Sequence, residues 1–245
     1  MKDKLIIVIP AYNEEENIKD VINDWYPIVE KYGTDSQLVI IDDGSKDNTF
    51  GIMEEEAKTR PKFKPITKSN AGHGATVLYG YNYALENGAD YIFQTDSDGQ
   101  TLPSEFDQFW KEKENNDMVI GWRNSREDGF SRVFVTKTLK LVIRLCFKVK
   151  VKDANTPFRI IKASALKEQI GEIPKDFNLS NVLLTVLLTK RGYKIKYIPI
   201  TFRPRQGGVN SINLPRIFGI GKQAIKDFRR INKILKNRDK NEKNK

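Results

Sequence analysis

Short, continuous apolar runs that end in polar residues limit the fold of this sequence more than any other feature. Leu5–Ile9 and Leu38–Ile41 contain only Leu, Ile and Val, which is typical of strands buried on both faces of a sheet. Pro10 ends the first run, and Asp42 follows the second. The pattern therefore predicts a sheet that is covered by helices on both sides.

Helical patterns separate these strands in the first half of the chain. We predict helices that begin near Asn13, Thr49 and Gly74, and further strands at Lys64–Thr67 and Tyr91–Gln94. This alternation indicates an α/β fold with a mostly parallel sheet and right-handed crossovers. Ligands of such sheets bind at the carboxyl ends of the strands, where each predicted strand runs into polar residues.

The second half of the chain has a less regular pattern. Its predicted strands and helices are Met118–Gly121, Thr136–Phe147, Phe158–Ile161, Leu179–Thr189 and Ile195–Phe202. A last helix, over residues 214–236, is basic on one side and apolar on the other. We therefore expect one α/β domain over residues 1–211 and a basic amphipathic C-terminal helix and tail over residues 212–245.

The charge of the chain is concentrated at its C-terminal end. The 245 residues carry a net charge of +10, of which +8 lies between Leu214 and Lys245. A basic tail on a nearly neutral body indicates an anionic partner, either a membrane surface or a nucleic acid. A solvated run of charges is the alternative interpretation.

Composition also bears on the location of the protein. No apolar run approaches the roughly 20 residues of a spanning helix, and the N-terminal run is too short for a signal peptide. The single cysteine, Cys146, excludes an internal disulfide. We therefore expect a protein of the cytoplasm that lies peripherally on the inner face of the membrane.

The loop after the strand at Tyr91–Gln94 holds paired carboxylates. Asp96 and Asp98 are two residues apart and can both turn toward one cation, and Gln100 adds an amide oxygen. Oxygen-only ligands favour Mg²⁺ or Mn²⁺, which would bridge a diphosphate and neutralise its developing charge. A polar turn is the alternative, because Asp-x-Asp-Gly is also good turn sequence.

Two other strand ends carry polar groups that suit a nucleotide. Asp42 and Asp43 form a second acidic pair, which could accept hydrogen bonds from a base or a ribose. The segment 70–74 is a glycine loop that opens a helix, so its amides could face a phosphate. It lacks the spacing of the dinucleotide-binding fingerprint.

Four segments, in this order and spacing, resemble glycosyltransferase family 2. They are VIPAYNEEENI, IDDGSKDNT, SNAGHGAT and QTDSDGQ, and the later segments GWR, DANTPFR and RQGGVNS also fit. The resemblance covers about residues 4–211 and is closest to dolichol-phosphate mannose synthase-like and related polyprenyl-phosphate sugar transferases. It implies the GT-A fold and an inverting transfer reaction.

The resemblance also implies roles for single residues. Those expected to bind the nucleotide-sugar are Pro10, Ala11, Tyr12, Glu14, Asp42, Asp43, Asn70, Asp96 and Ser97. Asp98 and Gln100, with Asp96, would ligate the metal. Arg123 and Arg132 would meet an acceptor phosphate. Arg205 would lie over the donor diphosphate, where its guanidinium fork suits phosphate oxygens.

Two residues have less defined roles. Asp153 either supports catalysis or pairs with Arg159. The only histidine, His73, lies between glycines and has no acidic residue close to it in sequence. We interpret His73 as a loop residue and not as a base.

The preferred hypothesis is transfer of a sugar from a nucleotide-sugar to a polyprenyl phosphate, such as a dolichyl or undecaprenyl phosphate. We also consider an integral-membrane partner protein. A phosphate oxygen is already anionic near pH 7, so no strong base is needed. The first alternative is transfer to a hydroxyl of a lipid-linked or surface polysaccharide, which would need a carboxylate base such as Asp153. The second alternative is a non-catalytic basic protein that binds membrane or nucleic acid. The preferred hypothesis, in contrast, involves no nucleic acid.

Overall fold

The structure is a computed structural model that describes residues 3–123, 130–175, 177–203 and 225–234, with the backbone alone for residues 123 and 130–137. Within these residues the strands are β1 (Leu5–Ala11), β2 (Gln37–Asp42), β3 (Phe63–Thr67), β4 (Tyr91–Gln94), β5 (Met118–Arg123), β6 (Arg159–Lys162) and β7 (Ile195–Ile200). The helices are α1 (Ile18–Lys31), α2 (Thr49–Ala57), α3 (His73–Glu86), α4 (Phe106–Glu112), α5 (Phe130–Phe147), α6 (Ala163–Ile170) and α7 (Ser180–Lys190). Residues 225–234 are also helical.

The strands form one sheet in the order β3-β2-β1-β4-β6-β5-β7. The neighbours β3, β2, β1 and β4 are all parallel, and β5 is parallel to β7. Strand β6 runs antiparallel to both of its neighbours, β4 and β5. The sheet confirms the predicted α/β class with a mostly parallel sheet.

Burial explains why the continuous apolar runs became central strands. Every residue of β1 is buried, because helices cover both faces of the sheet at its centre. On one face, Phe93 of β4 lies in an aromatic cluster with ring-centroid distances of 5.2 Å to Trp25, 4.9 Å to Phe106 and 4.8 Å to Phe158. The apolar pattern therefore predicts both the strands and the core they build.

The first helix begins later than predicted. Asn13 has a φ of 53°, which is a left-handed conformation and not that of a helix N-cap. The Asn13 side chain instead accepts a hydrogen bond from the Lys46 amide at 2.9 Å, and α1 begins at Ile18. Asn13 therefore joins the β1 loop to the β2 loop.

The two compact units of the chain are residues 1–124 with 153–208, and residues 125–152 with 209–245. In the second unit, Phe147 of α5 and Phe228 have ring centroids 5.4 Å apart, and Asn232 donates a hydrogen bond to the Cys146 carbonyl. Phe228 and Ile231 are buried. Part of the apolar stripe predicted for the last helix is therefore packed inside this unit, while the predicted boundary at residue 211 lies outside the described residues.

No helix in the described part of the chain combines the length and the apolar character that crossing a membrane requires. Among the described side chains of the second unit, the exposed large apolar ones are Leu141, Leu145 and Ile234.

Close packing of α3 on the sheet gives a test of the fold. A Cβ atom on Gly80 would lie 2.3 Å from Val8 Cγ1 and 2.9 Å from Ile41 Cδ1. We expect Gly80→Ala to lower the free energy of unfolding by about 1–3 kcal/mol, because the core must move to admit the methyl group. Urea denaturation followed by circular dichroism measures this loss.

The matched control is Gly171→Ala. A Cβ atom there meets nothing within 4 Å, and the residue has a φ of −65°. We expect a free energy of unfolding within about 1 kcal/mol of the original chain. Equal effects of the two substitutions would contradict the packing of α3 described here.

Candidate functional site

The site lies where four parallel strands end at the same edge of the sheet. The register places Ala11 of β1 beside Asp42 of β2, and Asp42 beside Thr67 of β3. Strand β4 ends at Gln94 on the other side of β1 and leads directly to Asp96. The polar residues that follow these strands are therefore close together, as the sequence predicts.

Asp43 fastens the end of β2 to the glycine loop. Its two carboxylate oxygens accept hydrogen bonds from the amides of Ala71 and Gly72, each at 2.9 Å, and it forms an ion pair with Lys68. The Asp43 amide donates to the Ala11 carbonyl at 2.8 Å. Burial acts to raise the pKa of Asp43, but the hydrogen bonds from Lys68 and Ala71 outweigh it and the pKa is lowered.

Asp42 has a different environment, although it is adjacent in sequence. Its carboxylate accepts hydrogen bonds from the Ser45 amide at 3.1 Å and from the Thr67 hydroxyl at 2.7 Å, and the residue is buried. These bonds shape the turn after β2 and tie it to β3. The predicted role of Asp42 in nucleotide binding stays a prediction.

The other residues predicted to bind the nucleotide surround these strand ends. Pro10 and Ala11 are the last residues of β1, and Tyr12 follows them with 42% of its surface exposed. Glu14 is buried and accepts a hydrogen bond from the Asn17 side chain at 2.7 Å. Asn70 donates to the Asp43 carbonyl at 2.9 Å.

The loop after β4 is closed by its own side chains. The hydroxyls of Thr95 and Thr101 lie 2.7 Å apart, and the Asp98 carboxylate accepts a hydrogen bond from the backbone amide of Gln100 at 3.1 Å. Ser97 is buried in this loop, and Gly99 has a φ of 68° that favours glycine. The loop therefore holds its carboxylates in a defined turn.

A backbone pairing ties the same loop to the segment after β7. The Arg203 amide donates to the Gln100 carbonyl at 2.8 Å, and the Gln100 side-chain Nε2 donates to the Arg203 carbonyl at 3.1 Å. Thr101 and Phe202 form an isolated antiparallel bridge. The side-chain amide of Gln100 is thereby oriented with its nitrogen toward Arg203.

The donor set of this loop fits a divalent cation. Asp96 and Asp98 supply carboxylate oxygens, and Gln100 has its Oε1 left for a cation because its Nε2 is bound to a carbonyl. Hard oxygen ligands suit Mg²⁺ and Mn²⁺, which keep several waters in their coordination shells. The described residues contain no cluster of three or more His, Cys, Asp or Glu side chains that could hold a metal, so the predicted site depends on the amide as well as on the two carboxylates.

The structure brings His73 into contact with Asp96, which the sequence interpretation missed. His73 is the first residue of α3, and its Nε2 lies 3.1 Å from Asp96 Oδ1. Desolvation acts to lower the pKa of His73, but the Asp96 carboxylate, with Asp43 and Asp98, raises it above its ordinary value. The signal was available in the topology, because a loop that opens a helix after β3 lies at the same edge as the end of β4.

Asp153 and Arg159 do not form the ion pair that one interpretation expected. The buried guanidinium of Arg159 donates to neutral oxygens, namely the carbonyls of Ala154, Thr156 and Asn181 and the hydroxyl of Thr185. Asp153 accepts hydrogen bonds from the amides of Asn155 and Thr156 at 3.1 and 3.3 Å. Burial lowers the pKa of Arg159, and the charge of Asp153 acts on it only through space. The catalytic role of Asp153 stays a prediction.

The side chains of three predicted arginines lie outside the described part of the structure. Only the backbone is described for Arg123 in β5 and Arg132 in α5, and Arg205 falls in the segment 204–224. Their roles at the acceptor phosphate and the donor diphosphate stay predictions.

The lowered pKa of Asp43 predicts a pH dependence of stability. A carboxylate whose pKa is lower in the folded chain contributes stability above its ordinary value of 3.8, and this contribution is lost as the pH falls through the folded value. We expect Asp43→Asn to cost about 2 kcal/mol of unfolding free energy at pH 7, because bonds to a charged group are lost. The difference from the original chain should shrink below pH 4.

Urea denaturation at pH 7 and at pH 3 measures this effect. The exposed Asp35, on the turn before β2, provides the same chemical change as a control, and Asp35→Asn should stay within about 0.5 kcal/mol of the original chain at both pH values. A loss for Asp43→Asn that is equally large at pH 3 would contradict a charge-dependent contact.

The sequence is similar to those of known sugar transferases. The sequence profile of glycosyl transferase family 2 matches residues 6–170. UDP-N-acetylglucosamine–dolichyl-phosphate N-acetylglucosaminyltransferase of Methanococcus voltae is 34% identical over 188 residues, covering 68% of this chain and 73% of that protein. Polyprenol monophosphomannose synthase of Mycolicibacterium smegmatis is 25% identical over 219 residues, covering 86% and 81%.

A solved structure has a similar fold. Glucosyl-3-phosphoglycerate synthase of Mycobacterium tuberculosis, in complex with Mn²⁺ and uridine-diphosphate-glucose, superimposes with a TM-score of 0.65 at 19% identity, covering 91% of this chain and 77% of that one. The likeness confirms the predicted GT-A fold.

Proposed function

Since the chain belongs to glycosyl transferase family 2 and has the GT-A fold, we propose that it transfers a sugar, with inversion, from a nucleotide-sugar to a polyprenyl phosphate. The observation that carries this proposal is the meeting of Asp43, the glycine loop and the Asp96–Gln100 loop at one edge of the sheet. Relatives that are named for polyprenyl or dolichyl phosphate acceptors support the choice of acceptor.

Residues at the ends of β1 and β2 bind the nucleotide. The exposed ring of Tyr12 is available to stack on a base, and its neighbours in β1 allow the close approach of a nucleotide. Asp43 is held by two amides and Lys68, so it holds the glycine loop in place beneath the nucleotide. Asn70 and Ser97 complete this side of the site.

The Asp96–Gln100 loop binds the diphosphate end of the donor. Asp96, Asp98 and Gln100 hold Mg²⁺ or Mn²⁺, and the chemistry supplied by that cation is neutralisation of the charge that develops on the leaving diphosphate. Arg205 adds a guanidinium to the same oxygens. The relative solved with Mn²⁺ and uridine-diphosphate-glucose supports this assignment.

A phosphate acceptor removes the need for a dedicated base. The Asp153 carboxylate accepts hydrogen bonds from amides of its own turn, which is the arrangement of a structural residue. An anionic phosphate oxygen attacks the sugar without losing a proton, so Asp153 is not needed as a base. Arg123 and Arg132 bind this phosphate.

The acceptor's lipid tail places the enzyme peripherally at the cytoplasmic face of a membrane. On α5, Leu141 and Leu145 are 56% and 71% exposed. At 100° per residue, they share an arc of about 140° with Lys140 and Arg144. Exposed leucines beside basic residues suit an anionic lipid surface, and an integral-membrane partner protein could add to the contact.

Transfer assays test the enzymatic proposal. Labelled nucleotide-sugars are screened with a polyprenyl phosphate and, as a matched acceptor, the same polyprenol without its phosphate. We expect a product that partitions into organic solvent with the polyprenyl phosphate and no such product with the polyprenol. Asp98→Asn and chelation should each reduce turnover at least 100-fold, because the substitution removes a ligand of the cation and the chelator removes the cation itself.

Asp35→Asn, at the opposite edge of the sheet, is the control and should keep full activity. Arg123→Ala and Arg132→Ala should weaken use of the lipid phosphate more than donor binding measured by calorimetry. Sugar transfer to a polysaccharide hydroxyl without transfer to the lipid phosphate would support the alternative acceptor. Failure to bind any nucleotide-sugar would favour a non-catalytic basic protein.

Sedimentation with anionic vesicles tests the membrane contact. We expect the protein to sediment at low salt and to be released at high salt, because salt screens the basic residues. Leu141→Gln with Leu145→Gln should reduce sedimentation, whereas Tyr79→Gln, on the exposed surface of α3, should not. Protein that stays in the supernatant at low salt would contradict a membrane role for this surface.

A further inference from the structure

The backbone on both sides of His73 is fixed. The Gly72 amide is bound to the Asp43 carboxylate at 2.9 Å, and the Gly74 carbonyl accepts a hydrogen bond from the Ser180 hydroxyl at 3.1 Å. A Cβ atom on Gly74 would lie 2.3 Å from a backbone oxygen of the segment before α7, so this position has no room for another residue. The imidazole of His73 is therefore presented from a rigid frame.

The contact of His73 with Asp96 has a defined direction. A carboxylate only accepts hydrogen bonds, so the Nε2 atom of His73, 3.1 Å from Asp96 Oδ1, carries the proton. The imidazole thereby holds one of the two carboxylate oxygens and leaves Oδ2 outside this bond. An aspartate side chain has two rotatable bonds and a planar carboxylate, so holding Oδ1 against a fixed backbone also sets the direction of Oδ2.

We propose that His73 is a positioning residue that holds Asp96 with Oδ2 directed at the cation of the donor site. Its hydrogen bond also completes a connection from Asp43, at the end of β2, through the glycine loop to the loop after β4. The proposal rests on the proposed function, because that function assigns the cation to the Asp96–Gln100 loop. It adds the residue that prepares this loop before the donor binds.

Two substitutions separate positioning from a structural role. His73→Ala removes the hydrogen bond to Asp96. His73→Gln keeps an Nε2 donor at a similar reach from the backbone and should retain the bond. Tyr79→Ala is the control, because it removes an exposed aromatic ring from the same helix, away from Asp96.

The experiment is a titration of the purified full chain with Mn²⁺ alone, in which electron paramagnetic resonance measures the free Mn²⁺. We expect His73→Ala to raise the dissociation constant of Mn²⁺ about 10-fold, as residues that orient metal ligands do. His73→Gln should recover most of the affinity, and Tyr79→Ala should match the original chain. The urea midpoints of all variants are measured alongside to verify that each is folded.

The outcomes distinguish this proposal from the proposed function. If Asp98→Asn loses Mn²⁺ while His73→Ala binds it as the original chain does, the cation site stands and the positioning role is overturned. Equal losses for His73→Ala and His73→Gln would also overturn it, because the donated bond would then not be the cause. If the original chain binds no Mn²⁺, the cation site and this proposal both fail, while transfer activity remains measurable on its own.

Discussion

The geometry of the site depends on the hydrogen bonds that the Asp43 carboxylate accepts from the glycine loop. This carboxylate joins β2 to the glycine loop through the amides of Ala71 and Gly72, with Lys68 as its counter-ion. The loop in turn presents His73 to Asp96, so the ends of β2 and β4 are connected through a segment that belongs to neither strand. Because the contact is buried and charged, it is stronger than a hydrogen bond between neutral groups in water.

The core of the fold could be predicted from the sequence because its signal is local. The β1 and β2 runs are continuous, and the structure extends them by only one or two residues. The short helices α4 and α6 were missed, since seven or eight residues carry too little periodic pattern to stand apart from loops. The start of α1 was misplaced, because Asn13 has both the sequence of an N-cap and the capacity for a left-handed conformation.

The site was predictable as a location but not as a set of contacts. Strand ends indicated one edge of the sheet. The sequence could not distinguish the environments of Asp42, the last residue of β2, and Asp43, the next residue, because Asp43 is bound by the amide of Ala71, which lies 28 positions away. The contact of His73 with Asp96 spans 23 positions. It depends on the parallel order of β1 and β4, which has no local signature.

The reversed direction of β6 has a consequence for how this scaffold can change. Because β6 begins beside Gln94, where β4 ends, the turn from Asp153 to Phe158 arrives at the edge that carries the site. The buried guanidinium of Arg159 holds this turn by donating hydrogen bonds to the carbonyls of Ala154 and Thr156. Insertions before β6 would thus enlarge the rim of the site, whereas insertions after Lys162 would emerge at the far edge. Because β6 is antiparallel to its neighbours, the scaffold has one more loop at this edge, and changes in that loop can alter which acceptors fit.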